Sequence, residues 1–389
     1  MWAVARWVWF SLLLIICWTA PVLASSTPAP LAKVVEAQLE ELDIGEIERM
    51  IAGLDAEVRA QLPTLELRQV ISGSQGIDWS KLIQELARYL FKEVVANFRL
   101  LGQLVILAIV SALLQNLQTA FVSSDALNVP MVACLLLLLH VALNSFQLAV
   151  GVGMGAIDTM TSLMYALLPL LSTTLAAIGA FTTAALMHPI LVAAVGFMGT
   201  LVQGVVFPLL QLSVVLNIVG NIFQGFPVRR LAALMERTGS LMLGGSFVGF
   251  AAMLTARGML APVADGVAIR AAKFVGGKIM PVLGNTFAQA LDVAVGGSLL
   301  IKNGLGAFGL GAILVIVAFP LVKILAILFT YRIVTALIEP ISDPRLVTAM
   351  ASCGNVLSII FVAVMTVTLT FFLTITVMVG MGNLTAMLR

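Results

Sequence analysis

Charged, histidine and cysteine residues are all scarce in this sequence. Only 10% of the 389 residues are charged, where a soluble globular domain has about a quarter, and there are two histidines and three cysteines. The spacing of the cysteines matches neither a set of metal ligands nor a disulfide framework. The sequence contains no zinc-protease helix motif, no nucleophile elbow and no phosphate-binding loop. These absences predict a protein that is not an enzyme and that has no cofactor or metal, and a net charge of +2 argues against nucleic acid as a partner.

Hydrophobic residues, by contrast, make up 61% of the chain. No compact soluble fold has enough interior to hide this much apolar surface, so lipid is the natural solvent for most of it. Acidic residues are concentrated near the N-terminus, where residues 25–98 hold 12 of the 19; residues 99–389 hold only 20 charges of either sign. The sequence therefore predicts an all-α polytopic membrane protein with a small water-facing region before its spans.

The first 24 residues have the layout of a secretory signal peptide. Arg6 precedes an apolar run over residues 7–22, and Ala24 ends a segment with small residues at the −3 and −1 positions. The alternative is an uncleaved membrane anchor. Both interpretations place residues 25–98 outside the cytoplasm.

Residues 25–98 are predicted to form a small extracytoplasmic helical region. Apolar residues recur at helical spacing, and Asp43 and Asp78 stand where helix N-caps are expected. About 70 mostly amphipathic residues make a marginal independent core. The region either packs on the membrane or on a partner, or serves as a solvated spacer.

The rest of the chain divides into membrane spans, each of which needs about 20 apolar residues. Residues 100–122 and 129–150 qualify and are joined by a short polar turn, so residues 99–150 are predicted to form two transmembrane helices. Further apolar stretches follow to residue 381. Their boundaries are less distinct, because few charged residues separate them.

Two later parts of the chain, residues 155–262 and 265–381, are predicted to be membrane repeats. Matching residues occur in the same order in both, and each half has three apolar elements with a basic connection before the third. Chance agreement within an apolar chain is the alternative. The matching pairs, at offsets of 112 and 115 residues, are Pro169 with Pro281, Pro208 with Pro320, and Arg230 with Arg345.

All four of these prolines are candidate helix breaks. Interrupted segments at matching positions of two halves are typical of transporter binding sites, because the freed backbone groups then line a cavity. The alternative is that each proline kinks an ordinary span. If the first element of each half is a re-entrant hairpin, the repeats are parallel, and Arg229, Arg230 and Arg237 share the cytoplasmic side with Arg332 and Arg345. If that element spans, the repeats are inverted, those first three arginines lie outside, and the residues inside are Arg257, Arg270, Lys273 and Lys278. The count of basic residues on the cytoplasmic side is close to balanced between the two models.

Charged side chains at membrane depth are costly, and by default they indicate function. Asp158, Asp292, Lys302 and Lys323 are the candidates for an intramembrane polar pathway. Lys302 closes the segment that contains Asp292 and is expected to pair with it, and Lys323 is expected to face the bundle interior. The alternative is an interfacial salt bridge or snorkelling. Four glycines are expected at close helix contacts: Gly304, Gly306, Gly309 and Gly311.

Several runs of the sequence combine charged, polar and apolar residues in a characteristic order. They are residues 90–97, 100–104, 114–117, 264–274, 290–292, 298–303, 319–326 (FPLVKILA), 371–376 and 382–383. These runs resemble the stage III sporulation protein AE family. The resemblance extends from the leader to the C-terminus and is weakest between residues 25 and 75.

The resemblance implies a location in the mother-cell membrane that surrounds the forespore of an endospore-forming bacterium. It implies work with the other stage III A operon proteins and, indirectly, with stage II sporulation protein Q, in a secretion-like channel or feeding apparatus. It carries over no catalytic residues. The expected function is a transport or channel subunit of that complex. A non-transporting membrane scaffold is the alternative, and an intramembrane enzyme is disfavoured.

Overall fold

The computed structural model describes residues 79–120, 128–222, 228–279, 284–342 and 344–387. Every regular element within these ranges is helical, which confirms the all-α prediction. The predicted signal peptide, residues 25–78 and Pro281 lie outside the described residues. The helices are α1 (Trp79–Ala96), α2 (Phe98–Ala120), α3 (Asn128–Ala177), α4 (Phe181–Leu201), α5 (Phe207–Ile222), α6 (Arg229–Ile279), α7 (Gly284–Ile338) and α8 (Pro344–Met387).

Six stretches of the described chain are long and apolar enough to cross a membrane, which confirms the polytopic prediction. The two longest have 44 residues, or about 66 Å of helix, against a hydrocarbon core of about 30 Å. These helices therefore tilt within the membrane or project beyond it. The spans are Leu86–Leu113 in α1 and α2, Leu139–Ala177 in α3, Phe181–Gly220 across α4 and α5, Arg229–Arg257 in α6, Val295–Ile338 in α7 and Pro344–Met387 in α8.

Helix α8 lies at the centre of the bundle and packs against α3, α5, α6 and α7. Its side chains are buried over most of its length, and Val364, Phe371 and Met378 have no exposed surface. Buried threonines accompany them, and Thr368 and Thr374 each donate to the carbonyl four residues earlier at 2.8 Å. These local hydrogen bonds satisfy the hydroxyl groups without water, so the apolar core accommodates them.

Glycines allow α7 to approach its neighbours closely, as the sequence predicts. A Cβ atom at Gly306 would collide with Val379 of α8, and one at Gly309 would lie 2.8 Å from Leu167 Cδ1 of α3. Neither position has room for a side chain. Helix α7 therefore packs with its backbone against both α3 and α8, the kind of contact that small residues make between membrane helices.

The described prolines that were predicted to break helices lie within continuous helical spans instead. Helix α3 runs through Pro169, and α7 runs through Pro320. Pro208 is the second residue of α5, and α5 directly follows a π-helical turn, Val202–Val206, that joins it to α4. A proline removes one intrahelical hydrogen bond, and packing against neighbouring helices on both sides of it keeps the span together.

Consecutive spans alternate in direction, which gives the bundle two distinct ends. Side-chain hydrogen bonds show that α5 is antiparallel to α6 and that α7 is antiparallel to α8. The turns over residues 223–228 and 339–343 therefore lie at the same end, named here the hairpin end. The opposite end, named the terminal end, holds the last residues of α8 and the turn between α3 and α4.

The α5–α6 and α7–α8 hairpins follow the spacing of the predicted repeats. Helix α6 begins at Arg229 and α8 at Pro344, 115 residues apart, and both hairpins point the same way. The first elements differ, because α3 and α4 are separate helices whereas the corresponding stretch of the second half is the start of the continuous helix α7. Helix α3 also passes without a break from the predicted second span into the predicted first repeat. The internal duplication stays a prediction.

Candidate functional site

Asp158 lies exposed on α3, at the centre of the 39-residue span Leu139–Ala177. Its Oδ1 atom accepts a 2.8 Å hydrogen bond from Gln203 Nε2, which also donates to the Met154 carbonyl at 3.2 Å. Gln203 belongs to the π-helical turn between α4 and α5. Such turns are rare and frequently occur at functional sites. A carboxylate–amide pair therefore lies at the middle of an apolar span, on the outside of the bundle.

Further polar groups follow the seam between α3 and α4 toward the terminal end. Thr161 faces Gly199 of α4, and its buried Oγ1 atom has no hydrogen-bond partner among the described residues. Beyond it, Ser172 Oγ lies 3.0 Å from His188 Nδ1 and donates to the Leu168 carbonyl at 2.7 Å. The seam thus carries polar side chains from the middle of the span toward the terminal end.

Lys302 is fully buried between α7 and α8, near the terminal end. Its Nζ atom donates to the Val379 carbonyl at 2.8 Å and to Asn383 Oδ1 at 2.9 Å. Gly382 provides the space, because a Cβ atom there would collide with Nζ and lie 2.9 Å from Cδ of the lysine. The predicted partner, Asp292, lies on α7, and its side chain is outside the described residues. Among the described residues, neutral oxygen acceptors hold this ammonium group.

Lys323 is half-buried on α7 and has no hydrogen-bond or ion-pair partner among the described residues. It lies about 10 Å from the centre of its span toward the hairpin end, whereas Lys302 lies about 22 Å from that centre toward the terminal end. Asp158 is at the centre of its own span. The three described candidates therefore sit at three depths, and they do not converge on one site within a single chain.

Asp265 is a buried carboxylate that was not among the candidate residues of the sequence. It is 2% exposed on α6, and its two oxygens accept hydrogen bonds from the backbone N–H groups of Thr182 at 3.0 Å and Thr183 at 2.9 Å. These groups belong to the first turn of α4, where backbone donors have no intrahelical partner. Asp265 caps α4 although it comes 83 residues after Thr182 in the sequence. No local spacing in the sequence therefore indicates the contact.

In each hairpin, a polar contact near the turn joins the two helices. Both contacts are at the hairpin end, which also carries exposed arginines. Asn217 Nδ2 donates to Glu236 Oε1 at 2.7 Å between α5 and α6, and Arg332 Nη2 donates to Asn355 Oδ1 at 3.0 Å between α7 and α8. The exposed arginines at or near this end are Arg229, Arg230, Arg237, Arg332 and Arg345.

Six apolar spans, with α8 at the centre of the bundle and charged side chains within several of them, define a polytopic helical membrane protein. The family described as Stage III sporulation protein AE matches this chain over residues 64–382. The Stage III sporulation protein AE of Bacillus subtilis (strain 168) is 34% identical over 368 residues, which cover 94% of this chain and 92% of that protein. The chain therefore belongs to the stage III sporulation protein AE family, as its sequence runs predict. No solved structure matches it.

Proposed function

We propose that this protein is a membrane subunit of a mother cell–forespore trans-envelope complex required for endospore formation, and that it acts there in transport or as part of a channel. Family membership supports a role in sporulation, and the six spans support a membrane location. The observation that carries the transport role is Lys302, a fully buried lysine that neutral acceptors of α8 hold near the terminal end of its span.

A buried ammonium group is a costly way to hold two helices together. Replacing a whole buried ion pair with apolar side chains of similar volume is often neutral or stabilising, so helix packing alone rarely requires a buried charge. A protein that served only as a scaffold has no evident need of an ammonium group at position 302. Gly382 makes room for this lysine. A charge kept at such a position favours a role in which it acts on a polar or charged solute.

The predicted leader favours one orientation of the bundle. It would deliver residues 25–78 to the extracytoplasmic side, and the span Leu86–Leu113 then runs toward the hairpin end, since a seven-residue connection joins it to α3, whose Ala142 accepts a hydrogen bond from Tyr331 of α7. We therefore assign the hairpin end to the cytoplasm. Lysine and arginine stand toward the terminal end as well, at Arg88, Arg257 and Lys302, so the positive-inside count does not decide the orientation.

The location and the partners that we propose follow from the family. The protein occupies the mother-cell membrane around the forespore, in contact with membrane lipid. It works with the other stage III A operon proteins and, indirectly, with stage II sporulation protein Q. Residues 25–78 are the longest stretch outside the spans that this orientation assigns to the side facing the forespore, so we propose them as the contact region for those partners.

Lys302→Met tests the transport role. The substitution removes the charge and keeps an unbranched side chain of similar length, so α7 and α8 are expected to stay packed. In a sporulating host with this chain as its sole copy, we expect the membrane level of the protein to match wild type and the spore yield to fall at least about tenfold. Immunoblots of membranes and counts of heat-resistant spores provide the two measurements.

The matched control is Glu339→Gln, which removes an exposed charge at the hairpin end and is expected to change neither quantity. A normal spore yield from Lys302→Met at a normal protein level would contradict the transport role. A lowered protein level would show that the charge maintains the packing of α7 and α8, and it would also count against transport.

The alternative function is a membrane scaffold for assembly of the same complex. One observation favours it: Asp158, Lys302 and Lys323 lie at three depths and do not line one internal pathway in a single chain. A scaffold predicts that neutral substitutions at these positions affect assembly or nothing at all. The Lys302→Met experiment separates the two functions.

A further inference from the structure

The outer face of α3 is polar along its whole span. Twelve residues of Leu139–Ala177 are exposed, and Leu148 is the one large aliphatic side chain among them. Glycine occupies two of the twelve positions, Gly151 and Gly155, and seven positions carry polar side chains. These seven recur at helical spacing and form one line along α3, named here the polar stripe. The polar stripe consists of His140, Asn144, Gln147, Asp158, Ser162, Tyr165 and Thr173.

The neighbouring span has the apolar outer face of an ordinary membrane helix. Phe181–Gly220, across α4 and α5, has thirteen exposed residues, and only Thr182 and Thr200 among them carry a polar side chain. The hydrocarbon core of a membrane corresponds to about 20 residues of helix. Every stretch of that length within Leu139–Ala177 contains at least three residues of the polar stripe. Contact with lipid therefore accounts for the outer face of α4 and α5 and does not account for that of α3.

Most side chains of the polar stripe have no hydrogen-bond partner within the described chain. Thr173 donates to the Leu170 carbonyl at 2.9 Å, and Asp158 accepts from Gln203. The five without such a partner are His140, Asn144, Gln147, Ser162 and Tyr165. Lipid satisfies no polar group, and a protein helix would have to match this mixture of donors, acceptors and one carboxylate over about 50 Å. Water satisfies all of them, because each molecule both donates and accepts.

We propose that the polar stripe lines a water-filled passage across the membrane, along which polar solutes move past α3. The passage lies outside the bundle of one chain, so the rest of its wall comes from other chains of the complex. Asp158 is the one carboxylate or basic side chain of the span, and its negative charge favours cations and neutral polar solutes over anions. This inference rests on the proposed transport role, and it names the path and the class of solute.

Cysteine accessibility tests the passage. Ser162→Cys lies in the polar stripe, and Gly155→Cys lies on the same face with open space around it. Their controls are Phe197→Cys and Val205→Cys, exposed apolar positions of α4 and its π-helical turn. Each control stands at about the level of its stripe partner, because Asp158 contacts Gln203 and Thr161 faces Gly199 across the seam.

Membrane vesicles come from sporulating cells that carry each variant as the sole copy at a wild-type level, so the rest of the complex is present. They are treated with a membrane-impermeant biotin methanethiosulfonate, which reacts with the thiolate and therefore needs water at the thiol. The unchanged chain is the blank for the three native cysteines. We expect the two α3 positions to label at least about tenfold faster than their controls.

Equal labelling rates within both pairs would overturn the proposal, and equally slow rates would mean that lipid or a helix of another chain covers the polar stripe. Reagent charge tests the class of solute. With each rate divided by that for glutathione, a cationic methanethiosulfonate is expected to label Ser162→Cys several-fold faster than an anionic one, and Asp158→Asn is expected to remove the difference. Equal rates for the two reagents before that change would overturn the preference for cations.

The two proposals fail in different ways. A normal spore yield from Lys302→Met would end the transport role and leave the labelling rates unchanged. Slow labelling at both α3 positions, with a lowered spore yield from Lys302→Met, would keep the transport role and remove α3 from its path.

Discussion

Alanine at Gly306 or at Gly382 will strongly reduce the amount of folded protein in the membrane. At Gly306 the new methyl group collides with Val379, a β-branched residue with little rotamer freedom. At Gly382 it collides with Nζ of Lys302 and lies 2.9 Å from Cδ, and the fully buried lysine has no free space to enter. Overpacking of this kind costs about 1–3 kcal/mol, and more where backbones must separate.

The same change at open helical glycines provides the control. Gly155 and Gly244 lie within helices, and no atom stands within 4 Å of an added Cβ atom at either. Alanine there is expected to leave stability unchanged or to raise it by about 0.5–1 kcal/mol, because glycine is the weaker helix former. Thermal unfolding of the purified protein in detergent measures all four variants. Equal effects at packed and open glycines would contradict the close contacts of α7 with α8.

Removing the carboxylate of Asp265 is expected to be the most damaging single polar substitution in the described chain. Asp265→Ala leaves the N–H groups of Thr182 and Thr183 without their acceptor at a buried site. Two such groups, at the positive end of the α4 dipole, cost about 3 kcal/mol. The contact between α4 and α6 at the terminal end is also lost, so we expect a large fall in the membrane level of the protein.

Protease sensitivity of the α3–α4 turn gives a second measurement for Asp265. Limited proteolysis of membranes is expected to cut near residues 178–180 in Asp265→Ala and not in the wild-type protein. Asp265→Asn keeps one acceptor oxygen and loses the charge, so it is expected to fall between the two. Arg257→Ala, an exposed position on the same helix, serves as the control. A wild-type level and cleavage pattern in Asp265→Ala would show that the cap contributes little.

Composition alone predicts the class of protein. A chain with 61% hydrophobic residues needs lipid around most of its surface, whatever fold it adopts. Close packing at Gly306 and Gly309 was also predictable, since small residues are what membrane helices place where they touch. These features depend on the local properties of one segment, so they can be predicted from the sequence of that segment.

The prolines show that local sequence rules do not determine where a helix ends. A proline removes one backbone donor wherever it stands, and whether the helix ends there depends on the packing of its neighbours. Helices α3 and α7 continue through Pro169 and Pro320, and the π-helical turn precedes Pro208. The sequence marks these positions as unusual and does not determine which outcome each one has.

Contacts between distant helices were the least predictable features. Lys302 donates to Val379 and Asn383 on α8, and no spacing within α7 signals these acceptors. Its pairing with Asp292 stays a prediction, because that side chain is outside the described residues. The cap that Asp265 provides for α4 is also a contact between two helices that are distant in sequence. Both depend on which helices are neighbours in the bundle, and nothing in the spacing of a single segment encodes that arrangement.

Transfer of solute into the forespore tests the central claim most directly. Sporulating cells carry this chain as their sole copy, either as wild type or as Lys302→Met at an equal membrane level, and the mother cell is loaded with an isotopically labelled small polar solute. If the charge at position 302 acts in transport, the label that reaches the forespore falls with Lys302→Met while the protein level stays normal. Equal label in the two strains would contradict the claim and leave the protein as a scaffold.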